Sequence, residues 1–264
     1  MATSDLVLLT SAIVAGFLGS ILGLGGGIIM VPVLSLYYHV NIRYAIAASL
    51  VSIVATSSGA AASFLRESLT NIRLAVFLEL GTVLGAMTGF LISVYVNAQI
   101  LFLLFGGFLF LSVFFIIQSR EEQRAAISHP WAQYLKFENE IYKVEQVPLG
   151  LFIMFIAGIL SAVLGIGSGI FKVLAMDGVM KLPLKVSSAT SNFMIGVTAS
   201  ASAGAYFFRG DILPEIVAHV AIGILLGSFV GAKVMVKMPA RKIRYIFVVV
   251  LGVTAVQMIL KGFV

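Results

Sequence analysis

The 264-residue chain has no cysteine, one tryptophan, six prolines and little charge: 17 Lys and Arg against 11 Asp and Glu, or 11% of residues. Without cysteine there is no disulfide framework, zinc–thiolate site, iron–sulfur cluster or thiol nucleophile. A soluble domain carries about a quarter of its residues as charges, so an ordinary soluble fold is excluded. What fills the chain is apolar, 60% from the set AVILMFWYC with a mean hydropathy of +1.10, the composition of an integral membrane protein. Eight spans of roughly 20 residues would take about 160 positions, which leaves space for one bundle and no separate soluble domain. The net charge of +6 comes from basic residues scattered between apolar runs. It reads as a topology signal, and no nucleic-acid partner is expected. Met1 to Asp5 lack the positive region of a cleavable leader, and no processing is expected.

Apolar stretches fall at 6–38, 45–64, 73–96, 98–118, 149–180, 187–207, 213–236 and 243–262. The first and fifth are over-long: about 32 residues make near 48 Å of helix against a hydrocarbon core of about 30 Å. Each is interrupted midway by glycines, Gly23-Leu24-Gly25-Gly26-Gly27 in one and Gly165-Ile166-Gly167-Ser168-Gly169 in the other. Missing Cβ atoms permit a tight chain reversal there, so both segments are expected to be re-entrant hairpins. A constant offset of 142 also superimposes Gly16, Gly23, Gly25 and Gly27 on Gly158, Gly165, Gly167 and Gly169. The register continues through Ala47/Ala189, Ser49/Ser191, Thr56/Thr198 and Gly81, Gly85, Gly89 on Gly223, Gly227, Gly231. Such an ungapped duplication is the mark of a transporter-type repeat.

The expected architecture is therefore all-α: two repeats, each a glycine-broken hairpin followed by three transmembrane helices. Residues 1–118 form the first repeat, 119–148 a cytosolic connector holding Trp131, and 149–264 the second. If the hairpins are re-entrant, thirteen Lys and Arg fall on the side of the connector and three, Arg43, Arg209 and Lys261, on the other. That bias predicts inverted repeats with both termini outside.

Lys172, Glu79, Asp177 and His219 are the ionisable residues within apolar segments. Lys172 lies three residues past Gly169, near the midplane of a re-entrant hairpin. A cation there costs at least about 2.5–3.5 kcal/mol, so it should face a cavity or a partner. An anionic substrate is one solution; snorkelling, or a pair with Asp177 five residues on, is the other. Glu79 and His219 read as interfacial, near predicted ends, with Glu79 a possible carrier of a coupled proton. The helices starting after Gly27 and Gly169 would aim backbone N–H groups of Gly25, Gly26, Gly27, Ile28, Gly167, Ser168, Gly169 and Ile170 at an anion. The same small residues would equally allow close helix packing. Ser49, Thr190, Ser191 and Asn192 could complete a polar shell or bond across helices. No strand–helix unit surrounds the glycines, so a dinucleotide site is not expected, and no cofactor is.

With Pro32 and the Ala-Ala-Ser-Leu and Ala-Thr-Ser-Asn segments beyond each break, this pattern resembles the TauE/SafE family of membrane permeases over nearly the whole chain. The second copy departs from the first at Ser168, Lys172 and Leu174. The resemblance implies movement of sulfite and organosulfonates across the bacterial plasma membrane, and the expected function is that of a permease, not an enzyme, carrying sulfite, sulfoacetate or another organosulfonate by alternating access. The residues alone leave open a cation or neutral-solute transporter with a structural Lys172. A membrane-embedded enzyme would need a paired carboxylate, His cluster or Ser-His-Asp grouping, none of which is placed in the core. The sequence fixes no oligomeric state.

Overall fold

The computed structural model describes residues 2–22, 25–66, 69–118 and 143–263, and among these it is helical with no strand. The helices are α1 (Ala2–Leu22), α2 (Gly27–Pro32), α3 (Ile42–Arg66), α4 (Ile72–Ser93), α5 (Ala98–Gln118), α6 (Val147–Leu164), α7 (Gly169–Leu174), α8 (Leu184–Arg209), α9 (Pro214–Lys237) and α10 (Ala240–Phe263). Short α2 and α7 continue into π-helical segments, Val33–Tyr37 and Ala175–Val179. Gly23, Leu24 and connector residues 119–142 lie outside the described residues.

Five described segments are long and apolar enough to cross a membrane: Ile42–Ala60, Ile72–Ser93, Val147–Leu164, Pro214–Lys237 and Arg241–Phe263. On α4 the exposed residues Val76, Leu80, Leu84, Met87 and Leu91 recur every three or four positions, which makes one apolar stripe along the helix. Such a stripe suits hydrocarbon and is unfavourable in water. The chain is a multi-pass membrane protein. Helix α8 behaves oppositely. Its Ser187, Ser188, Thr190, Ser191, Asn192, Thr198 and Ser202 are all buried, so the bundle hides its most polar helix in the middle.

The duplication persists at the level of the backbone. Gly25 and Gly26 have φ of 74° and 51°; 142 positions on, Gly167 and Ser168 have 65° and 57°. The left-handed region costs a residue with a Cβ about 1–2 kcal/mol, and Ser168 alone of the four has one. Gly25 N–H donates to Gly19 O at 3.3 Å, so the chain after the first break has turned back alongside α1. The two π-helical segments fall at the same offset as the breaks.

Packing exchanges elements between the halves. A Cβ on Gly227 of α9 would strike the Ile13 carbonyl of α1 and lie 2.8 Å from Phe17 N; one on Gly85 of α4 would strike the Phe155 carbonyl of α6. The second set is the first shifted by 142. Each half thus lodges its first long helix against the fourth helix of the other, through glycines that let backbones touch. Contacts run in order from Gly223 against Leu9 to Gly227 against Ile13 and Gly231 against Phe17, so α1 and α9 point the same way. Gly106 meets Ala255 and Ile259 while Gly262 meets Leu103, so α5 and α10 are antiparallel.

Candidate functional site

Lys172 projects from the first turn of α7 and is wholly buried. Its Nζ lies 2.9 Å from Oε2 of Glu79 on α4 and donates to Thr198 Oγ1 on α8 at 2.6 Å. Thr198 in turn donates to the other carboxylate oxygen of Glu79, and Thr82 Oγ1 lies 3.4 Å from the Thr198 hydroxyl. The three polar groups close a triangle contributed by three helices. This corrects two expectations. The carboxylate against Lys172 is Glu79, while Asp177 sits in the π-helical segment. Glu79 is not interfacial but buried, at 7% exposure. The reason is where α4 begins: Asn71 caps it, its side chain accepting from Leu74 N at 3.1 Å, so Glu79 stands two turns inside the helix. At the offset of 142 the counterparts of Lys172, Glu79 and Thr198 are Met30, Ala221 and Thr56. The charged cluster therefore exists once.

The two glycine breaks meet beside it. A Cβ on Gly27 would strike Ser49 Oγ and come within 2.9 Å of Gly165 O. Ser49 donates to Gly165 O at 2.5 Å and Ser191 to Gly169 O at 3.2 Å. These counterpart serines hold the second break from α3 and α8. Ile53 fills the space between the breaks, packing on both Gly25 and Gly167, and Ile195 packs on Gly25. Gly26 lies against Ile224, Ala15 and Thr56, and Ile28 is buried. Several backbone donors are already engaged: Gly27 N–H on Gly25 O, Met30 N–H on Gly26 O and Lys172 N–H on Ser168 O. Ser168 Oγ bonds Gly167 O at 2.6 Å, and the Ile170 side chain lies outside the described residues. Thr190 and Asn192 serve other places. Thr190 Oγ1 accepts from Asn71 N at 3.0 Å, and Asn192 Nδ2 donates to Ser20 O at 2.9 Å while its Oδ1 is buried without a partner. The exposed His219 belongs to none of this.

A cavity of about 190 Å³ lies between α4 and α8, lined by Ala86, Met87, Phe90, Leu91, Ala201, Ser202 and Ala205. Ala86 is one turn beyond Thr82 and Ser202 one turn beyond Thr198, so the cavity adjoins the triangle; Ser202 Oγ is buried there with no partner. Past Phe90, Arg209 lies over the Phe90 and Tyr206 rings at 5.0 and 4.4 Å, reaches Ser93 Oγ at 3.2 Å and pairs with Asp211.

A family model described as Sulfite exporter TauE/SafE matches residues 8–258. The chain belongs to the TauE/SafE sulfite exporter family. Among relatives, the Probable membrane transporter protein YunE of Bacillus subtilis is 26% identical, covering 98% of each chain. YdhB of the same organism, with the same description, is 29% identical over 89% of this chain and 90% of its own. The Probable membrane transporter protein MJ0441 of Methanocaldococcus jannaschii is 27% identical over 96% and 95%. No solved structure matches. This TauE/SafE protein is thus a membrane transporter and not an enzyme.

In this TauE/SafE transporter the two interfaces related by the repeat differ. Gly59 and Ser228 at α3–α9 are the counterparts of Ala201 and Ala86 at α4–α8. A Cβ on Gly59 would strike Ser228 Oγ and lie 3.3 Å from its Cβ, whereas Ala201 and Ala86 face the cavity. One interface is shut where its equivalent is open. Sequence reading missed Thr82, Ser202, Ile53 and Ile195 as neighbours of the site, and met Thr198 only as the counterpart of Thr56. A hydroxyl three residues after an intramembrane carboxylate was the available signal for Thr82. The isoleucines are counterparts at the same offset of 142, which was the signal available for them.

Proposed function

We propose that this transporter carries a small sulfur-containing anion, of the sulfite or sulfonate type, across the plasma membrane by alternating access. The observation that carries the reading is Lys172, a fully buried cation beside an apolar cavity. An oxoanion entering between α4 and α8 would pass Ser202, then Thr82 and Thr198, and end on the ammonium. Hydrogen bonds to an ionised donor are about twice as strong as neutral ones. The family description supplies sulfite, while the relatives' names state transport alone. Gly25 to Ile28 and Gly167 to Ile170, with Ser49 and Ser191, would hold the hairpin carrying Lys172 and add backbone donors when the breaks part; Thr190 and Asn192 would brace α8.

The reading takes the repeats as inverted. Helices α5 and α10 occupy equivalent places and are antiparallel, which favours a symmetry axis lying across the helices. With thirteen basic residues on the connector side against three, both termini lie outside and the cavity opens outward, toward Arg209. An open α4–α8 interface beside a closed α3–α9 interface is what alternation between equivalent halves requires; the inward-facing state would reverse the two.

A second reading, with a cation or neutral cargo and a structural Lys172, draws on the short pair to Glu79. Proteoliposome uptake separates them. Labelled sulfite, sulfoacetate and taurine are expected to give saturable uptake of at least one anion, and Lys172→Met to weaken its binding about 10- to 150-fold, the loss of a 1.5–3 kcal/mol charged hydrogen bond. Anion uptake unchanged in that variant would favour the second reading.

A further inference from the structure

Glu79 is left over by the scheme above, because an anion carrier needs Lys172 but has no evident use for a carboxylate within 2.9 Å of it. The buried triangle is neutral without cargo: one ammonium, one carboxylate and a threonine hydroxyl that accepts from the first and donates to the second. An anion that reaches Nζ takes the place of Glu79 and brings the site to a net charge of −1 in a low-dielectric interior, where an uncompensated charge is strongly disfavoured. Neutrality returns if the displaced carboxylate accepts a proton.

We propose that Glu79 is the coupling site of this transporter: one proton enters its carboxylate for each anion that replaces it beside Lys172, and both leave together on the other side. The proposal rests on the anion reading of Lys172 given above. The proton comes from water that accompanies the anion to the site and becomes the hydroxyl hydrogen of the Glu79 carboxyl; on release it returns to water as Glu79 re-forms its pair with Lys172.

The neighbourhood is built for both protonation states. Thr198 has one hydroxyl hydrogen and faces four groups: Lys172 Nζ, Glu79 Oε1, Thr82 Oγ1 at 3.4 Å and the Met194 carbonyl at 3.5 Å. With Glu79 ionised, the hydrogen points at the carboxylate. With Glu79 protonated, the carboxyl becomes the donor, and the Thr198 hydrogen can turn to Thr82 or to Met194 O. Glu79 and Thr198 each keep a hydrogen-bond partner in either state. Unpartnered Ser202 Oγ, one turn toward the cavity, offers a water the next contact. Lys172 is the cation paired with Glu79, and the charges on the neighbouring elements are these. Described helix α6 carries none, α4 has Arg73 in its first turn, the π-helical segment after α7 has Asp177, and α8 has Lys185 and Arg209 near its two ends. Lys185 donates to Val236 O and Arg209 pairs with Asp211. The other half has Ala221 at the equivalent place, so one proton per anion is the stoichiometry.

Calorimetry on the purified full chain tests this directly, with propane-1-sulfonate as probe because it stays anionic across the working range. Titrations in buffers of different ionisation enthalpy count protons taken up per anion bound. The wild type is expected to take up one, with the dissociation constant rising tenfold per pH unit between pH 7 and 8. Glu79→Gln is expected to take up none and to bind without pH dependence, and Glu79→Asp to regain the uptake. Anion binding with no proton uptake by the wild type overturns the coupling and leaves the anion site standing, as does uptake that persists in Glu79→Gln. Failure of propane-1-sulfonate, sulfite and sulfoacetate alike to bind the wild type overturns the anion site itself and the coupling with it. A wild-type count of zero overturns the coupling even if a variant fails to fold, and the assignment to Glu79 is read from whichever of Glu79→Gln and Glu79→Asp folds.

Discussion

Replacing Lys172 with methionine keeps an apolar stem of similar length but abandons the carboxylate of Glu79 at 7% exposure. Thr198 still donates to Oε1, while Oε2 loses the ammonium 2.9 Å away. Removing one partner of a buried pair typically costs about 3–5 kcal/mol. The loss at pH 7 should thus be about 3–5 kcal/mol, or roughly 6–20 °C in melting temperature at about 2–4 °C per kcal/mol. Adding Glu79→Leu removes the orphan and should restore wild-type stability or exceed it, since apolar replacement of a whole buried pair is commonly neutral or favourable. Fluorescence melting of detergent-purified protein without anion measures both variants against the wild type. A single variant that melts with the wild type at pH 7, or a double variant no better than the single, would refute the pairing.

Gly16→Leu and Gly158→Leu each drive a side chain into a facing backbone carbonyl, that of Ile224 or Thr82, and should lower monodispersity and melting temperature alike; Gly107→Leu meets nothing within 4 Å and should be silent. A large difference between the first two in a size-exclusion and melting comparison would argue against the exchanged packing. Ser168→Gly relieves a left-handed residue at φ 57° and should raise stability by up to about 1 kcal/mol, roughly 2–4 °C, after loss of its local hydrogen bond; a lower melting temperature would mean that the hydroxyl matters more than the strain. Ile53→Ala empties the space between the two breaks and should cost about 2–5 kcal/mol, read as a chemical-denaturation midpoint; an unchanged midpoint would mean that the breaks collapse onto each other.

The membrane class, the duplication and the two chain reversals were legible because each rests on a local property: hydropathy, register and glycine spacing. Left-handed residues at Gly25, Gly26, Gly167 and Ser168 fall where the glycine pattern placed the turns. Lys172 stood out for a similarly local reason, a cation inside an apolar run. Its partner did not, because Glu79 is 93 positions away and its depth depends on whether α4 starts at Asn71 or a turn later. The exchange of α1 onto α9 and of α6 onto α4 was out of reach for the same reason: glycines at spacing four announce a close neighbour without saying which. Ser49 and Ser191 were picked out as polar groups for a ligand, yet the carbonyls they reach belong to Gly165 and Gly169 of the second break. A short hydroxyl between helices serves whichever acceptor the tertiary packing brings nearest.

Alternation between two equivalent interfaces is tested most directly by locking them in this cysteine-free chain. A Cβ at position 59 lies 3.3 Å from that of Ser228, close to the 3.5–4.5 Å span of a disulfide at about a few tenths of an ångström of adjustment. Gly59→Cys with Ser228→Cys is expected to cross-link readily in the resting protein, to stop labelled sulfonate uptake into proteoliposomes while binding persists, and to recover on reduction. Ala86→Cys with Ala201→Cys should cross-link only once substrate is supplied, when the cavity between them closes. Uptake at the full rate with the 59–228 bridge intact would contradict the account.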